Sequence, residues 1–382
     1  MKYICFTIII VYLFGTMILL GFDYLTYMIE RYSHFHMGCW KNVANWSVAV
    51  EKVCRHWVIK TPILRLKKDC RYLLLDRMTG KYGKSMVQSW QKAGCLLGLD
   101  EVNCNQDLHE KIKKQLLNSD GTWKAKPEKI DYAMMAYALL KQEYQPGIIR
   151  PAMDTMIECI ESNLCEDGLI SYSGGKNSKR RYVDTLGFVC PFLGLYGKTY
   201  NKPEYIKLAV QQIELFSTFG IYQGLPFHCY ETNRQLPIGV LGWGRGTGWY
   251  TLALIDLYDS VSSEDEKAYL GKTIRNTADR ILEFENHDGG FSAILTTDSP
   301  YDSSATAMLG YFLAKCGGIF DDNKYSCVAK RCVQRIMRET KINGVIDSCQ
   351  GDTIDIGIFS ERYAEMPFAQ GIALRLVRVL NI

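Results

Sequence analysis

Carboxylates recur at one place in this sequence, immediately before or within the start of an apolar helical stretch. Asp131, Asp184, Asp302 and Glu365 occupy such starts, and Lys84, Gln88 and Arg245 occupy others. An acid in the first turn of a helix is ordinarily a cap or a partner of the helix dipole, contributing roughly 0.3–1 kcal/mol. Taken singly, each of these acids reads that way. Together they imply more, because neighbouring helices would bring several carboxyl groups into one cleft. There each raises the pKa of the others, which keeps a carboxylic acid protonated near neutral pH. General acid and base chemistry needs that proton. Trp123, Tyr132, Tyr182, Trp243, Trp249 and Tyr250 accompany the acids. Acids among flat apolar faces suit a sugar cleft, where rings stack on aromatics and hydroxyls meet carboxylates. Any one of these aromatics reads equally well as core.

The elements that must position these residues repeat. A polar helix gives way to a glycine-centred loop at Gly80, Gly121, Gly168, Gly224, Gly289 and Gly344, with successive gaps of 41 to 65 residues, and a more apolar helix follows. Asp120, Asp167, Asp288 and Asn343, all turn formers, directly precede four of those glycines. The second helices are KSMVQSWQKAGCLLG (84–98), IDYAMMAYALLKQE (130–143), YVDTLGFVCPFLGLYG (182–197), GWGRGTGWYTLALIDLY (242–258), DSSATAMLGYFLAKCG (302–317) and EMPFAQGIALRLVRVL (365–380). They are apolar nearly all round and rich in small residues, as helices buried on every side are. The first helices carry apolar residues at three- and four-residue spacing with charges between, so each buries one face. Repetition at this period sets the architecture. The sequence predicts an all-α fold, an (α/α)6 barrel of six helical hairpins with an inner and an outer ring, over residues 41–382 as one domain. The loops and the starts of the inner helices are expected to gather at one end.

A net charge of +4 and the lack of any basic run exclude a nucleic-acid tract. Residues 3–22, YICFTIIIVYLFGTMILLGF, are uncharged over about the span of a bilayer. No A-x-A-like cleavage site follows, so residues 1–40 are expected to form a hydrophobic anchor or an uncleaved signal-like segment. The same stretch also reads as a buried helix. Lys2 precedes it and Asp23, Glu30 and Arg31 follow, a bias that favours a barrel outside the cytoplasm. The 14 cysteines pull the other way. They form no CxxC or His/Cys cluster, so no structural zinc is expected, and Cys95, Cys159, Cys190, Cys316 and Cys332 fall among apolar neighbours, a usage that suits a reducing compartment.

Between residues 120 and 375 the sequence resembles the unsaturated glucuronyl and rhamnogalacturonyl hydrolases, glycoside hydrolase families 88 and 105. The resemblance is carried by IDYAMMAYALL, RYVDTLGFVCPFL, HCYE, WGRGTGW and DSSATAMLGYFLAKC. It implies a six-hairpin glycosidase-like barrel. It also implies that Asp184 is the general acid/base, with Asp131 holding it protonated or positioning a water. His228 matches the histidine of an H-x-W-D-like turn, and Arg245 and Trp249 match substrate-contacting residues. Tyr182, Trp243, Asp302 and Ser303 fall in the same motifs as substrate-binding positions. The implied substrate is an oligosaccharide ending in a 4,5-unsaturated uronic acid, and neither a metal nor an organic cofactor is required.

The pattern also departs from the family. Tyr182 replaces the usual Trp, and Cys229, Tyr230 and Glu231 replace x-Trp-Asp. The first 100 residues, including TPILRLKKDCRYLLLDRMTGKYGKSMVQSWQKAG, are similar to proteins of bacterial exopolysaccharide loci. The sequence therefore also admits a membrane-tethered exopolysaccharide or capsule component that binds or trims glycan. A sugar 2-epimerase, an ordinary inverting hydrolase and a non-catalytic glycan-binding barrel would be built on the same kind of barrel.

Overall fold

A helix touched on all sides must keep its side chains small wherever a neighbour comes close, and the glycines of the inner helices mark those places. The computed structural model describes residues 2–62, 74, 78, 89–99, 106–143, 145–353 and 355–382. Six inner helices form a closed ring: α3 (Ser89–Gly98), α5 (Tyr132–Gln142), α7 (Val183–Thr199), α9 (Gly244–Tyr258), α11 (Ser303–Phe320) and α13 (Pro367–Leu380). Each packs on the next, and α13 returns to α3. The closure is backbone on backbone. A Cβ on Gly371 would overlap the carbonyl of Gly94, and one on Gly98 would overlap the backbone of Gly371.

The outer helices are α2 (Val43–Trp57), α4 (Gln106–Leu116), α6 (Pro146–Ser162), α8 (Pro203–Gly220), α10 (Glu264–Leu282) and α12 (Asn323–Arg338). Their apolar faces turn inward at helical spacing; in α12 these are Tyr325, Val328, Ala329, Cys332, Val333 and Ile336. The connecting glycines Gly121, Gly168, Gly224, Gly289 and Gly344 all hold φ between +78° and +88°, where other residues are strained. Asp120, Asp167 and Asn343 close their turns by accepting the N–H two residues on. Gly80, Lys84 and Gln88 lie outside the described residues.

Two features depart from the expected regularity. The barrel carries a small antiparallel sheet, β1 (Arg180–Tyr182), β2 (Ile221–Tyr222), β3 (Leu225–Glu231) and β4 (Leu236–Leu241), with β3 paired to the other three. Its residues 225–241 are an insertion between α8 and α9. A second pair, β5 (Cys349–Gln350) and β6 (Tyr363–Ala364), lies between α12 and α13.

The other departure is the direction of α2. The five remaining outer helices end at the loop end of the barrel, but α2 begins there. Trp46 Nε1 donates to Thr340 Oγ1, just past α12, at 2.9 Å. Farther along α2, Glu51 meets Arg378 in the last turn of α13 at 3.6 Å. The chain therefore enters the barrel at the loop end. Before it runs α1 (Lys2–Phe35), a helix longer than the apolar stretch that begins it. Among the described residues 12 cysteines are free thiols.

Candidate active site

The loop end holds a cavity of about 230 Å³. Asp184 enters it from the first turn of α7. Its Oδ2 stands 3.6 Å from His228 Nε2. Burial raises the Asp184 pKa above the usual carboxylate range, while His228 and Arg245 pull it back. Burial lowers the His228 pKa, outweighing the attraction of Asp184, so the imidazole is held neutral. The histidine expected in a turn instead lies within strand β3, with its ring 4.7 Å from Trp243 and 5.9 Å from Tyr182.

The floor of the cavity is aromatic. Trp249 is 1% exposed and packs at 4.7 Å on Phe188 and edge-on at 5.5 Å on Trp90. Tyr182, Trp243 and Arg245 also line the space. The Arg245 guanidinium is largely engaged. It donates to the main-chain carbonyls of Gln350 and, at 2.8 Å, Gly351. It also lies 5.2 Å from the centre of the Trp243 ring. Trp243 Nε1 donates to Gln350 Oε1 at 3.0 Å.

Asp302 and Ser303 do not line the cavity; they hold its wall. Asp302 Oδ1 accepts from Ser304 N at 2.8 Å, from Ser304 Oγ at 2.7 Å, and from Gln350 N at 3.1 Å. Ser303 N donates to Ser348 O at 3.0 Å. Asp302 is thus a helix cap that also binds the segment after Gly344, the role expected of a lone acid at a helix start.

Asp131 is different. It precedes α5 but makes no side-chain cap, and its Oδ1 is buried without a partner. Burial pushes its pKa up to about 6, helped by Asp352 and opposed by Lys129 and the Tyr132 N–H. It does not line the cavity, yet it acts on the same phenol as the carboxylates that do. Tyr172, a lining residue, has its pKa raised by burial first and then by Asp131, Asp184 and Asp352 together. Glu365 stays outside, paired with Lys341 at 3.3 Å. Tyr250 is core, and Trp123 donates from its indole to Ala152 O.

Several lining residues do not stand out in the sequence: Asp352, Thr353, Asp355 and Ile356 after β5, Tyr172 and Ser173 after the Gly168 turn, and Trp90 and Phe188 on inner helices. Phe188 carries a signal, standing one turn beyond Asp184 on the same helix face. Asp352 carries none, since QGDTIDIG has neither helical nor strand periodicity. Its carboxyl is held above the usual range by burial, with Asp184 adding to the rise and Arg245 opposing it. The arrangement raises the proton affinity of its carboxyl groups and lowers that of the imidazole beside them, above an aromatic floor.

Comparison with known proteins gives three findings. The family model described as Glycosyl Hydrolase Family 88 matches residues 102–376. An unsaturated 3S-rhamnoglycuronyl hydrolase of Formosa agariphila is 23% identical over 212 residues, a match covering 49% of this chain and 55% of that enzyme. The fold is shared with a possible member of the GH105 family from Klebsiella pneumoniae (TM-score 0.73, 18% identity, 90% of this chain and 94% of that one). It is also shared with the unsaturated glucuronyl hydrolase of Bacillus sp. GL1 (TM-score 0.62, 17% identity, 87% and 96%).

Proposed function

Since the chain belongs to glycoside hydrolase family 88, we propose that it hydrolyses oligosaccharides ending in a 4,5-unsaturated uronic acid. The observation that carries this reading is Asp184, a half-buried carboxyl kept above its ordinary pKa in an aromatic-floored cavity, 3.6 Å from a neutral histidine. The rhamnoglycuronyl hydrolase match supports the substrate class over the part of that enzyme it spans.

The C4=C5 bond of such a sugar is an enol ether. Protonated Asp184 delivers its proton to C4 as the π electrons form the new C–H bond, leaving an oxocarbenium-like centre at C5. A water oxygen adds to C5 and returns a proton to the Asp184 carboxylate. The ring oxygen then leaves C5 as a ketone forms, C1 is left as a hemiacetal, and its collapse releases the partner sugar. One water is consumed and the acid is regenerated, so a single carboxyl performs both proton steps provided its pKa is raised. The separation rule for paired glycosidase carboxylates concerns attack at the anomeric carbon and has no bearing on this route.

The remaining residues take supporting roles. Asp352 is coupled to Asp184, so ionisation of one carboxyl disfavours ionisation of the other, and Asp131 is coupled in turn to Asp352. Trp249, Phe188 and Trp90 offer a face for the sugar ring. His228, neutral, offers a ring nitrogen to a hydroxyl or to the attacking water. Arg245 and Trp243 act through the segment they hold.

The test is a panel of lyase-generated unsaturated disaccharides, followed by the absorbance of the conjugated double bond. The wild type is expected to bleach it and Asp184→Asn to leave it unchanged while folding normally. Bleaching by Asp184→Asn would sink the assignment of the acid. Saturable binding by the wild type with no bleaching of any substrate would sink the hydrolase reading in favour of a glycan-binding barrel.

A further inference from the structure

The apolar helix α1 reaches the barrel at an informative place. Its residues 3–22 are uncharged, and in its most apolar window none is buried. Leaving large apolar side chains in water forgoes about 1.5–3 kcal/mol each, so a helix apolar on every side requires an apolar surround. Twenty residues at 1.5 Å each span about 30 Å, the thickness of a bilayer core. Tyr24, Tyr27, Arg31 and Tyr32 follow, with the tyrosines exposed, as at a membrane–water interface.

The other end of α1 is fixed to the barrel. His34 Nε2 lies 3.6 Å from Asp347 Oδ2. Gly38 N donates to Thr340 O at 3.0 Å, and Trp40 Nε1 lies 3.3 Å from the carbonyls of both Thr340 and Lys341. Lys341 is itself buried between Asp347 at 2.7 Å and Glu365 at 3.3 Å. These partners belong to the segment that follows α12 and runs on through Gln350 to Asp352 of the cavity. The reversed direction of α2 is the reason: because α2 starts at the loop end, the chain before it must arrive there too.

We propose that α1 crosses a lipid bilayer and holds the barrel with its cavity end toward that bilayer. From Phe22 to His34 the helix rises about 18 Å, which sets the distance from the apolar core of the membrane to the rim. On the hydrolase reading above, the glycan end it takes is then one displayed close to a membrane surface.

Two exposed thiols report the geometry. Cys39 lies at the cavity end, and Cys327 lies near the start of α12 at the opposite end. The full chain, with Cys5, Cys70 and Cys104 replaced by serine and either Cys39 or Cys327 also replaced, is inserted into phosphatidylcholine–phosphatidylglycerol vesicles. The remaining exposed thiol carries a donor dye, and the lipid headgroups carry an acceptor. The expected result is an intact N-terminus, resistance to carbonate extraction, and energy transfer several-fold stronger from Cys39 than from Cys327. Carbonate release, a mature N-terminus beyond residue 22, or equal or stronger transfer from Cys327 would overturn the proposal. No turnover is measured, so this result stands apart from the fate of the hydrolase reading.

Discussion

Asp131 permits a quantitative test of how the site keeps its proton. Its carboxyl is 5% exposed, has one oxygen without a partner, and titrates near 6 instead of at the ordinary 3.8. At about 1.4 kcal/mol per pH unit, the ionised carboxylate is about 3 kcal/mol costlier in the folded protein than in the unfolded chain. Because the folded pKa is raised, the fold binds this proton more tightly than the unfolded chain does. Stability from this group is therefore full below about pH 4, declines as the pH rises toward 6, and is level above that. Asparagine has nearly the same shape as the protonated acid and no charge at any pH. The stability of Asp131→Asn relative to wild type is thus expected to increase by about 2.4 kcal/mol between pH 4 and pH 7.5. Asp352 adds to the effect in the same direction, since the loss of a neighbouring negative charge eases its own ionisation. Urea unfolding of both proteins at the two pH values measures the difference, and titrations common to both cancel. A relative stability that stays constant within about 1 kcal/mol would refute the buried-carboxylate account, because the predicted change rests on that shift. The same variant is expected to lose hydrolytic activity, the exchange of stability for function that a strained site stores.

Three other changes probe the elements around it. Arg245→Met leaves the carbonyls of Gln350 and Gly351 without their donor; at about 1.5–3 kcal/mol for each charged hydrogen bond, denaturation should show a loss of about 3–6 kcal/mol. Asp352→Asn removes a carboxyl whose charge is coupled to that of Asp184, the acid whose deprotonation sets the alkaline limb. The alkaline limb of the kcat/KM profile should then move to lower pH, by about one unit at most, and a limb that stays or moves upward contradicts the electrostatic role. Gly371→Ala forces a methyl group into the carbonyl of Gly94 at the ring closure. Its cost should reach or exceed about 3 kcal/mol, the upper end for overpacked cores, read as a fall in the thermal midpoint.

The sequence makes the ring of inner helices legible because small residues and all-round apolarity have one physical cause, close packing on every side. Asp184 is legible for the same reason: an acid in the first turn of such a helix has only the loop end to face. The aromatics are less so, because adjacent residues on a helix diverge by about 100°. Trp249 thus reaches the cavity while Tyr250 turns into the core. Direction along the barrel axis leaves no trace in an amphipathic pattern, so the reversal of α2 is invisible in the sequence. So is the role of Asp352, whose place depends on β5, β6 and contacts from α9 and α11, all distant in sequence.

Those distant contacts also explain why Asp302, Ser303, Trp243 and Arg245 accompany the site motifs without reaching into the cavity as free groups. Asp302 takes the N–H of Gln350, Ser303 holds the carbonyl of Ser348, Trp243 takes the side chain of Gln350, and Arg245 takes the carbonyls of Gln350 and Gly351. Two adjacent inner helices, α9 and α11, thereby grip one short segment from four sides and aim the next residue, Asp352, at Asp184. A substitution in this grip displaces a carboxyl group it never touches. The motif is read in the sequence as a set of binding residues, but Arg245 spends its guanidinium, Asp302 one carboxyl oxygen and Ser303 its main-chain N–H on the protein's own backbone. Their hydrogen bonds fix the segment that carries Asp352.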